Sequence, residues 1–394
     1  MKKNISILNR LACMVCFLWV PILLGGCDSD GLIKEAVEEV DEVNEPVGEE
    51  LSAEELDYVT QLLQAEEAMN EIWRDFDSFR SSPIFVVTGE EEGFYINPPD
   101  TQIAVNRPIT YEIDGLNSIP LYRNDLVRTY VQQNISSLLG YGFPNYAGND
   151  MFAFDTTHDI GDYFYAQYKD RDGFYDVSVF YHELFHLYQS ENADGYFGDE
   201  EYVQSLNRYP LTTETFPYIL LLFDVMIDAH LAQTPEDQTR LLEYYVAIQY
   251  HLESIDPTED DLIRNHGFFL EKLEGAPRYV EVFGTFYSLN NDTVEDPTHG
   301  FSQYAAEITA RTEVRLLYAR RMFYHTGAGA IHLMNSLGFE GLDDAFLVPS
   351  NTPYDIARDF LQMTDAEREA ALESAKVDYP WQAYLERSEY LLSL

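Results

Sequence analysis

The apolar and polar positions of this chain change their period near the middle, from strand-like in the first part to helical in the second. Ser52 and Glu55 form a predicted capping box that starts a helix, and this helix should run to about residue 79, before Pro83. Short β-rich runs between turn residues then predict strands at 84–88, 93–97, 109–114, 151–155 and 163–168, with one helix at 124–138 among them.

The second part of the chain carries a helical pattern. Asp176 is the predicted N-cap of an apolar helix, and beyond residue 195 further helices are predicted at 213–232, 237–254, 259–288, 301–325, 326–338 and 355–373. Strands followed by helices predict an α+β fold, with a small N-terminal sheet packed on the helix after Asp176 and a mostly helical C-terminal half. We expect residues 52–150 and 151–394 to form one compact unit.

The first 27 residues have the pattern of an export signal. Lys2, Lys3 and Arg10 precede an apolar run, Leu11–Leu24, that is short for a membrane span. The run ends Leu24-Gly25-Gly26-Cys27, which resembles a bacterial lipoprotein signal; the resemblance implies removal of residues 1–26 and acyl chains on Cys27. Two or more acyl chains anchor stably, so we expect an extracytoplasmic protein held on a bacterial membrane, inner or outer. The alternatives are an ordinary secretory signal, or a short membrane anchor with a chance cysteine.

Charge and cysteine content limit the possible binding partners and the possible metal ligands. The chain has 69 Asp and Glu against 24 Lys and Arg, a net charge of −45, which disfavours nucleic acid and anionic membrane surfaces as partners. The acids are dense in residues 27–51, which we interpret as a solvated tether. Cys13 and Cys16 lie in the signal and Cys27 is the expected lipidation site, so histidines and carboxylates must hold any metal.

The candidate chemistry lies in the run Tyr181–Gln189, which contains H-E-x-x-H. On a helix, His182 and His186 are one turn apart on one face and can hold one Zn²⁺. Glu183 stands beside them and can take a proton from a water activated by the metal. Five-residue matches also arise by chance, but this one falls inside an apolar helical pattern. The spacing therefore indicates a hydrolytic metal site, most often that of a metallopeptidase.

A catalytic zinc site needs three protein ligands and an open position. Gln189, three residues after His186, excludes the extended motif with a third histidine, so a carboxylate is favoured. Four acids downstream are candidates: Glu214, Asp224, Glu271 and Glu274. Glu271 and Glu274 can instead belong to a solvated face. Asp224 lies in an apolar run, where a buried carboxylate needs a partner, and it can pair with an arginine or with a ligand histidine.

The motif and the later pattern E-x-x-E-G-x-x-x-Y, Glu271 to Tyr279, resemble gluzincin-type zinc metallopeptidases, and more narrowly bacterial extracytoplasmic peptidases. The resemblance implies Glu274 as the third ligand and Glu271 as a residue that orients a ligand histidine or replaces Glu274. The chain has Gly275-Ala276-Pro277-Arg278 where the family usually shows G-L-A-E.

A later run, Arg321 to Ala330, looks like the small-residue helix start that follows in the same group. Tyr324 or His325 can donate a hydrogen bond to a tetrahedral intermediate, with core packing as the alternative for Tyr324. Gln189 lies on the same face of its helix as the histidines, where it can hydrogen-bond to a metal-ligand residue or merely cap a groove.

Together these features predict a zincin-like, zinc-dependent hydrolase with its site between the sheet and the helices. Its substrate would be a peptide or protein, with Glu183 as general base, and its membrane contact would be the lipid on Cys27. A second hypothesis is a non-catalytic surface lipoprotein, a binding module that keeps the zincin frame. A third is a zinc hydrolase that acts on non-peptide amides.

Overall fold

The computed structural model describes residues 49–73, 76, 82–99, 105–135, 140–157, 174–192, 202–286, 289 and 299–394. The chain forms two compact units, Met1–Asp57 with Ser81–His158, and Tyr58–Arg80 with Asp159–Leu394. The predicted signal, Cys27, nearly all of the acidic tether and the predicted strand at 163–168 lie outside the described residues. The fold class is α+β, with a small N-terminal sheet and a helical C-terminal half.

Helix α1 (Ala53–Ile72) begins at the predicted capping box. The Glu55 N–H donates to Ser52 Oγ at 3.3 Å, and the Ser52 N–H donates to Glu55 Oε2 at 3.0 Å, which confirms the box. The helix ends at Ile72, seven residues before the predicted end near 79, and Trp73 lies in a bend. Its first turn belongs to the first unit and the remainder, from Tyr58, to the second.

The first unit is built on a six-stranded sheet. In chain order its strands are β1 (Ile84–Val87), β2 (Gly93–Ile96), β3 (Arg107–Ile109), β4 (Leu121–Arg123), β5 (Tyr141–Gly142) and β8 (Phe152–Asp155), with a separate hairpin of β6 (Asn145–Tyr146) and β7 (Asn149–Asp150). The order across the sheet is β3-β4-β2-β1-β8-β5; β1 and β8 run parallel, and the other pairs are antiparallel.

Apolar side chains and a buried ion pair stabilise this unit. Helix α2 (Asp125–Asn134) is capped by Asn124, whose side chain accepts from the Val127 N–H at 3.1 Å. Val127 and Val131 pack on Phe85 and neighbouring sheet residues. Glu55 is fully buried, and Arg123 Nη2 donates to its Oε2 at 2.6 Å. This pair ties the start of α1 to β4.

Strand and boundary predictions need correction in this unit. The expected strand at 109–114 ends at Ile109, because it begins earlier, at Arg107, and pairs with a short strand that the pattern does not show. Two- and three-residue strands such as β4 to β7 carry too few residues for a period-2 signal. The predicted boundary after residue 150 also differs from the observed division, since β8 pairs with β1 and belongs to the sheet.

The second unit is helical. Its helices are α3 (Phe174–Asn192), α4 (Tyr202–Arg208), α5 (Phe216–Ala229), α6 (Pro235–Ser254), α7 (Phe269–Tyr279), α8 (His299–Glu307), α9 (Arg311–Leu316), α10 (Met322–Ser336), α11 (Leu342–Leu347), α12 (Pro353–Leu361), α13 (Asp365–Asp378) and α14 (Trp381–Ser393). Within the described residues, three π-helical segments join this series: Ile263–Phe268 before α7, Val280–Phe286 after α7, and Leu317–Arg321 before α10. π-helical turns are rare in proteins, and those that do occur are often found at functional sites.

Several predicted helices have different ends. The structure divides the predicted helix at 301–325, because residues 308–310 are not helical, and the predicted helix at 326–338 continues α10, which ends at Ser336. Asp176 lies inside α3, which begins at Phe174, so Asp176 is not its N-cap. None of the helices in the described part of the chain combines the length and apolar character of a membrane span.

Helices α7 and α10 meet at their backbones. Gly275 faces Gly327, and a Cβ atom on Gly275 would lie 2.6 Å from the Gly327 Cα, closer than any side chain allows. A Cβ on Gly327 would in turn meet the Glu271 carbonyl. Two glycines are therefore required for this crossing, which sets the distance between the residues that α7 and α10 carry.

Candidate metal centre

Helix α3 carries H-E-x-x-H, and its other contacts within the second unit fix its rotation. Tyr181 donates its hydroxyl to the Leu62 carbonyl of α1 at 2.7 Å. Phe185 makes edge contacts with Trp73 and Phe76, with ring centroids 4.9 Å apart in both pairs. Because these aromatic residues hold α3 against the end of α1, the histidines of the motif face α7 instead.

The structure brings His182, His186 and Glu274 together in a buried group that could hold a metal ion. Glu274 Oε2 lies 3.3 Å from His186 Nε2 and 3.7 Å from His182 Nε2. That oxygen has no hydrogen-bond partner within the described part of the chain. Three possible ligand atoms thus converge on one point from two helices.

Each histidine has a hydrogen-bond partner at Nδ1, on the far side of its ring, so its Nε2 atom faces Glu274. His182 Nδ1 lies 2.9 Å from Glu281 Oε2, and His186 Nδ1 lies 2.9 Å from Gln189 Oε1. Both partners are acceptors, so each Nδ1 carries a proton, and each Nε2 is left for a metal ion or a second proton. Such partners fix the tautomer and orientation of ligand histidines.

The group fits a tetrahedral metal ion. Bonds of about 2.0–2.1 Å to a tetrahedral ion place the ligand atoms about 3.3–3.4 Å apart, close to the two distances found here. Two imidazole nitrogens and one carboxylate oxygen are ligands that zinc accepts, with a fourth position left open. The residues present therefore fit a metal ion held by three protein ligands.

The electrostatics of the group also favour a cation. Burial lowers the pKa of His182, but the carboxylates of Glu274 and Glu281 outweigh it and raise the value to about 10. Burial raises the pKa of Glu274, but the two imidazoles outweigh it and hold the value well below its ordinary range. Arg278 donates to Glu281. Positive charge at this point is stabilised, whether it is a proton or a metal ion.

Glu183 and Tyr324 lie beside the group. Glu183 is buried and follows the ligand His182 directly on α3. Tyr324, on α10, stacks on the His182 ring with centroids 5.7 Å apart and planes at 10°. Glu183 therefore occupies the position next to a member of the group on α3, and the ring of Tyr324 covers the ring of His182 from another element.

The other candidate acids lie elsewhere. Glu271 is fully buried but turns away from the histidines; its oxygens accept hydrogen bonds from Tyr245 at 2.6 Å, Gln249 at 2.8 Å and Thr326 at 2.5 Å. Burial raises its pKa to about 7, against the effect of these three donors. Glu271 therefore neither belongs to the metal group nor orients a ligand histidine.

Asp224 and Glu214 are also outside the group. Asp224 accepts a hydrogen bond from Tyr384 at 2.6 Å, which supplies the partner that a carboxylate in an apolar run requires. Glu214 is exposed. His325 is fully buried one residue after Tyr324, and its ring stacks on that of His230 with centroids 4.3 Å apart. Burial, with the charge of Arg278, keeps its pKa well below the ordinary value.

Sequence reasoning missed Glu281 and Arg278. Glu281 is seven residues after Glu274, a spacing that puts two side chains on one helical face, and this is the signal that could have pointed to it. It lies in the π-helical segment that follows α7, with Thr285 donating to its carbonyl. Thr285 Oγ1 is also 2.8 Å from Ser178 Oγ of α3, so the segment is fastened to the motif helix.

Comparison of this chain with protein-family models, with curated proteins and with solved structures finds no match in any of the three.

Proposed function

We propose that this protein is a zinc-dependent hydrolase of the gluzincin type, with a zincin-like arrangement, that cleaves peptide bonds. One observation carries the proposal: His182, His186 and Glu274 form a buried three-ligand group, and Glu183 follows a ligand on the same helix. A structural metal site has four protein ligands and needs no neighbouring base. Three ligands beside a carboxylate correspond to a catalytic site.

The roles of the side chains follow from their positions. Zinc, when bound, supplies Lewis acidity and lowers the pKa of water to near 7. Glu183 takes the proton of the attacking water and later gives it to the leaving amine. Tyr324 donates its hydroxyl to the oxyanion that develops on the substrate carbonyl. His182 and His186 keep their Nδ1 protons, because Glu281 and Gln189 hold them.

Two other functions use the same frame. A non-catalytic binding module would keep the metal group but would not need Glu183. A hydrolase of non-peptide amides would use the same residues on another substrate. The position of Glu183 beside His182 favours hydrolysis, and peptide substrates rest on the resemblance of the motif to zinc peptidases.

Metal removal tests this proposal. We expect the purified protein, starting near residue 52, to contain about one zinc ion per chain and to cleave a mixed-peptide library. A chelator should stop cleavage, and added Zn²⁺ should restore it. Zinc without cleavage of any peptide would favour the binding module, while cleavage that continues after complete zinc removal would contradict the proposal.

We further propose that the protein is anchored to a bacterial membrane through lipid on Cys27. The basis is the run Leu24-Gly25-Gly26-Cys27 after a short apolar segment. Cys27→Ser removes the sulfur that would carry the lipid, so we expect the variant to leave the membrane fraction or to stay unprocessed. Cys16→Ser is the matched control. Unchanged membrane partition together with an unchanged mature N-terminus in Cys27→Ser would disprove the anchor.

A further inference from the structure

The ring of His186 is oriented by Gln189, which in turn contacts α7 close to Pro277. Gln189 Oε1 accepts from His186 Nδ1 at 2.9 Å. Gln189 Nε2 donates to the Leu273 carbonyl of α7 at 3.2 Å, and at the longer distance of 3.5 Å to the Lys272 carbonyl. Both side chains are buried. The amide of Gln189 is thus held at both ends, because its oxygen faces the imidazole and its nitrogen faces α7.

The Leu273 carbonyl is available for a reason that lies in the sequence. In an α-helix it would accept from the N–H of residue 277, four positions later. Residue 277 is proline, which has no N–H and whose ring pushes against the carbonyl four residues before it. Helix α7 nevertheless continues through Pro277 to Tyr279, and Gln189 supplies the donor that the helix lacks.

We infer that Pro277 is a positioning residue for His186, and that it acts through the amide of Gln189. The proline releases the Leu273 carbonyl, and this carbonyl fixes which end of the amide faces α3. The amide oxygen then holds the Nδ1 proton of His186, so that Nε2 faces Glu274. The inference rests on the metal centre of the proposed function, and on no property of the substrate.

The inference predicts two effects of opposite sign in one variant. Pro277→Ala restores an N–H group, so α7 completes its hydrogen bonds and the metal-free protein should unfold at a higher temperature. The same N–H draws the Leu273 carbonyl toward the helix axis and away from Gln189. Zinc affinity should then fall by about 10-fold, the smallest loss that is typical when a residue that holds a metal ligand is removed. A merely structural role of Pro277 would move stability and zinc affinity in the same direction.

A double-variant cycle tests whether the proline acts through the amide. Zinc affinity is measured by competition with a chromophoric chelator for the protein, Pro277→Ala, Gln189→Leu and the double variant. Gln189→Leu should lose about 10–100-fold. The double variant should lose no more than Gln189→Leu alone, since both changes remove the same contact. Gln249→Leu is the matched control, because Gln249 is equally buried but donates to Glu271.

Several outcomes would overturn the inference. They are an unchanged zinc affinity in Pro277→Ala, additive losses in the double variant, and an equal loss in Gln249→Leu. Should Pro277→Ala not fold, Gln189→Glu decides, since its carboxylate accepts from His186 but cannot donate to Leu273; wild-type affinity there refutes the inference. Absence of zinc binding in the unaltered protein would refute the metal centre as well, whereas zinc binding without peptide cleavage leaves this inference standing.

Discussion

Glu183→Gln should abolish hydrolysis while the protein keeps about one zinc ion per chain. Glu183 follows His182 on α3 and is not one of the three members of the group, so the amide variant retains all three. A glutamine cannot take a proton from water, and loss of a general base lowers rates by about 10²–10⁴-fold. The measurements are peptide cleavage with zinc saturating, and zinc content of the same preparation.

The design separates a lost base from a disturbed fold. Glu271→Gln is the buried control, since Glu271 contacts Tyr245, Gln249 and Thr326, and Glu214→Gln is the exposed control. Both should cleave peptides within a few-fold of the unaltered rate. Activity in Glu183→Gln above a few per cent would show that another group removes the proton.

Glu274→Ala should lose zinc. The substitution removes one of the three candidate ligands and a negative charge that lies 3.3 Å from His186 Nε2 and 3.7 Å from His182 Nε2. Loss of an outer partner costs about 10–100-fold in affinity, so loss of a ligand should cost more than about 100-fold. Dialysis against a weak chelator, followed by metal analysis, measures the difference.

The controls for Glu274→Ala come from the same set of candidate acids. Glu271→Ala and Asp224→Asn should keep zinc under the same dialysis, because neither carboxylate belongs to the group. Full zinc content in Glu274→Ala would exclude it as a ligand. A metal-loaded structure with another carboxylate within about 2.0–2.2 Å of the ion would do the same.

Local patterns predicted much of this site. The spacing of His182 and His186 required only a helix, and the apolar run around them supplied it. The capping box at Ser52 also formed as expected, because both of its hydrogen bonds lie within one turn. The position of Glu274 came from resemblance to a motif, and the structure places it beside the two histidines.

What the sequence did not predict depends on contacts between distant elements. Glu271 and Glu274 are both glutamates of the same short pattern, and the sequence does not distinguish them. Only the contacts of Glu271 with α6 and α10 show that its side chain turns away from the histidines. Glu281 reaches His182 from a π-helical segment, and no simple period marks such a segment. Pro277 is typical of a helix end, yet α7 continues through it where Gln189 supplies a donor.

The backbone contact of Gly275 and Gly327 has a consequence for how this chain can evolve. Gly275 directly follows Glu274, and Gly327 lies one turn after Tyr324, so any methyl group at the crossing separates a ligand from the stacked tyrosine. Neither glycine has a side chain that reacts or binds. In a library of random single substitutions, both positions should nevertheless be as intolerant as the metal ligands, and related sequences should keep small residues there even where surface positions have diverged.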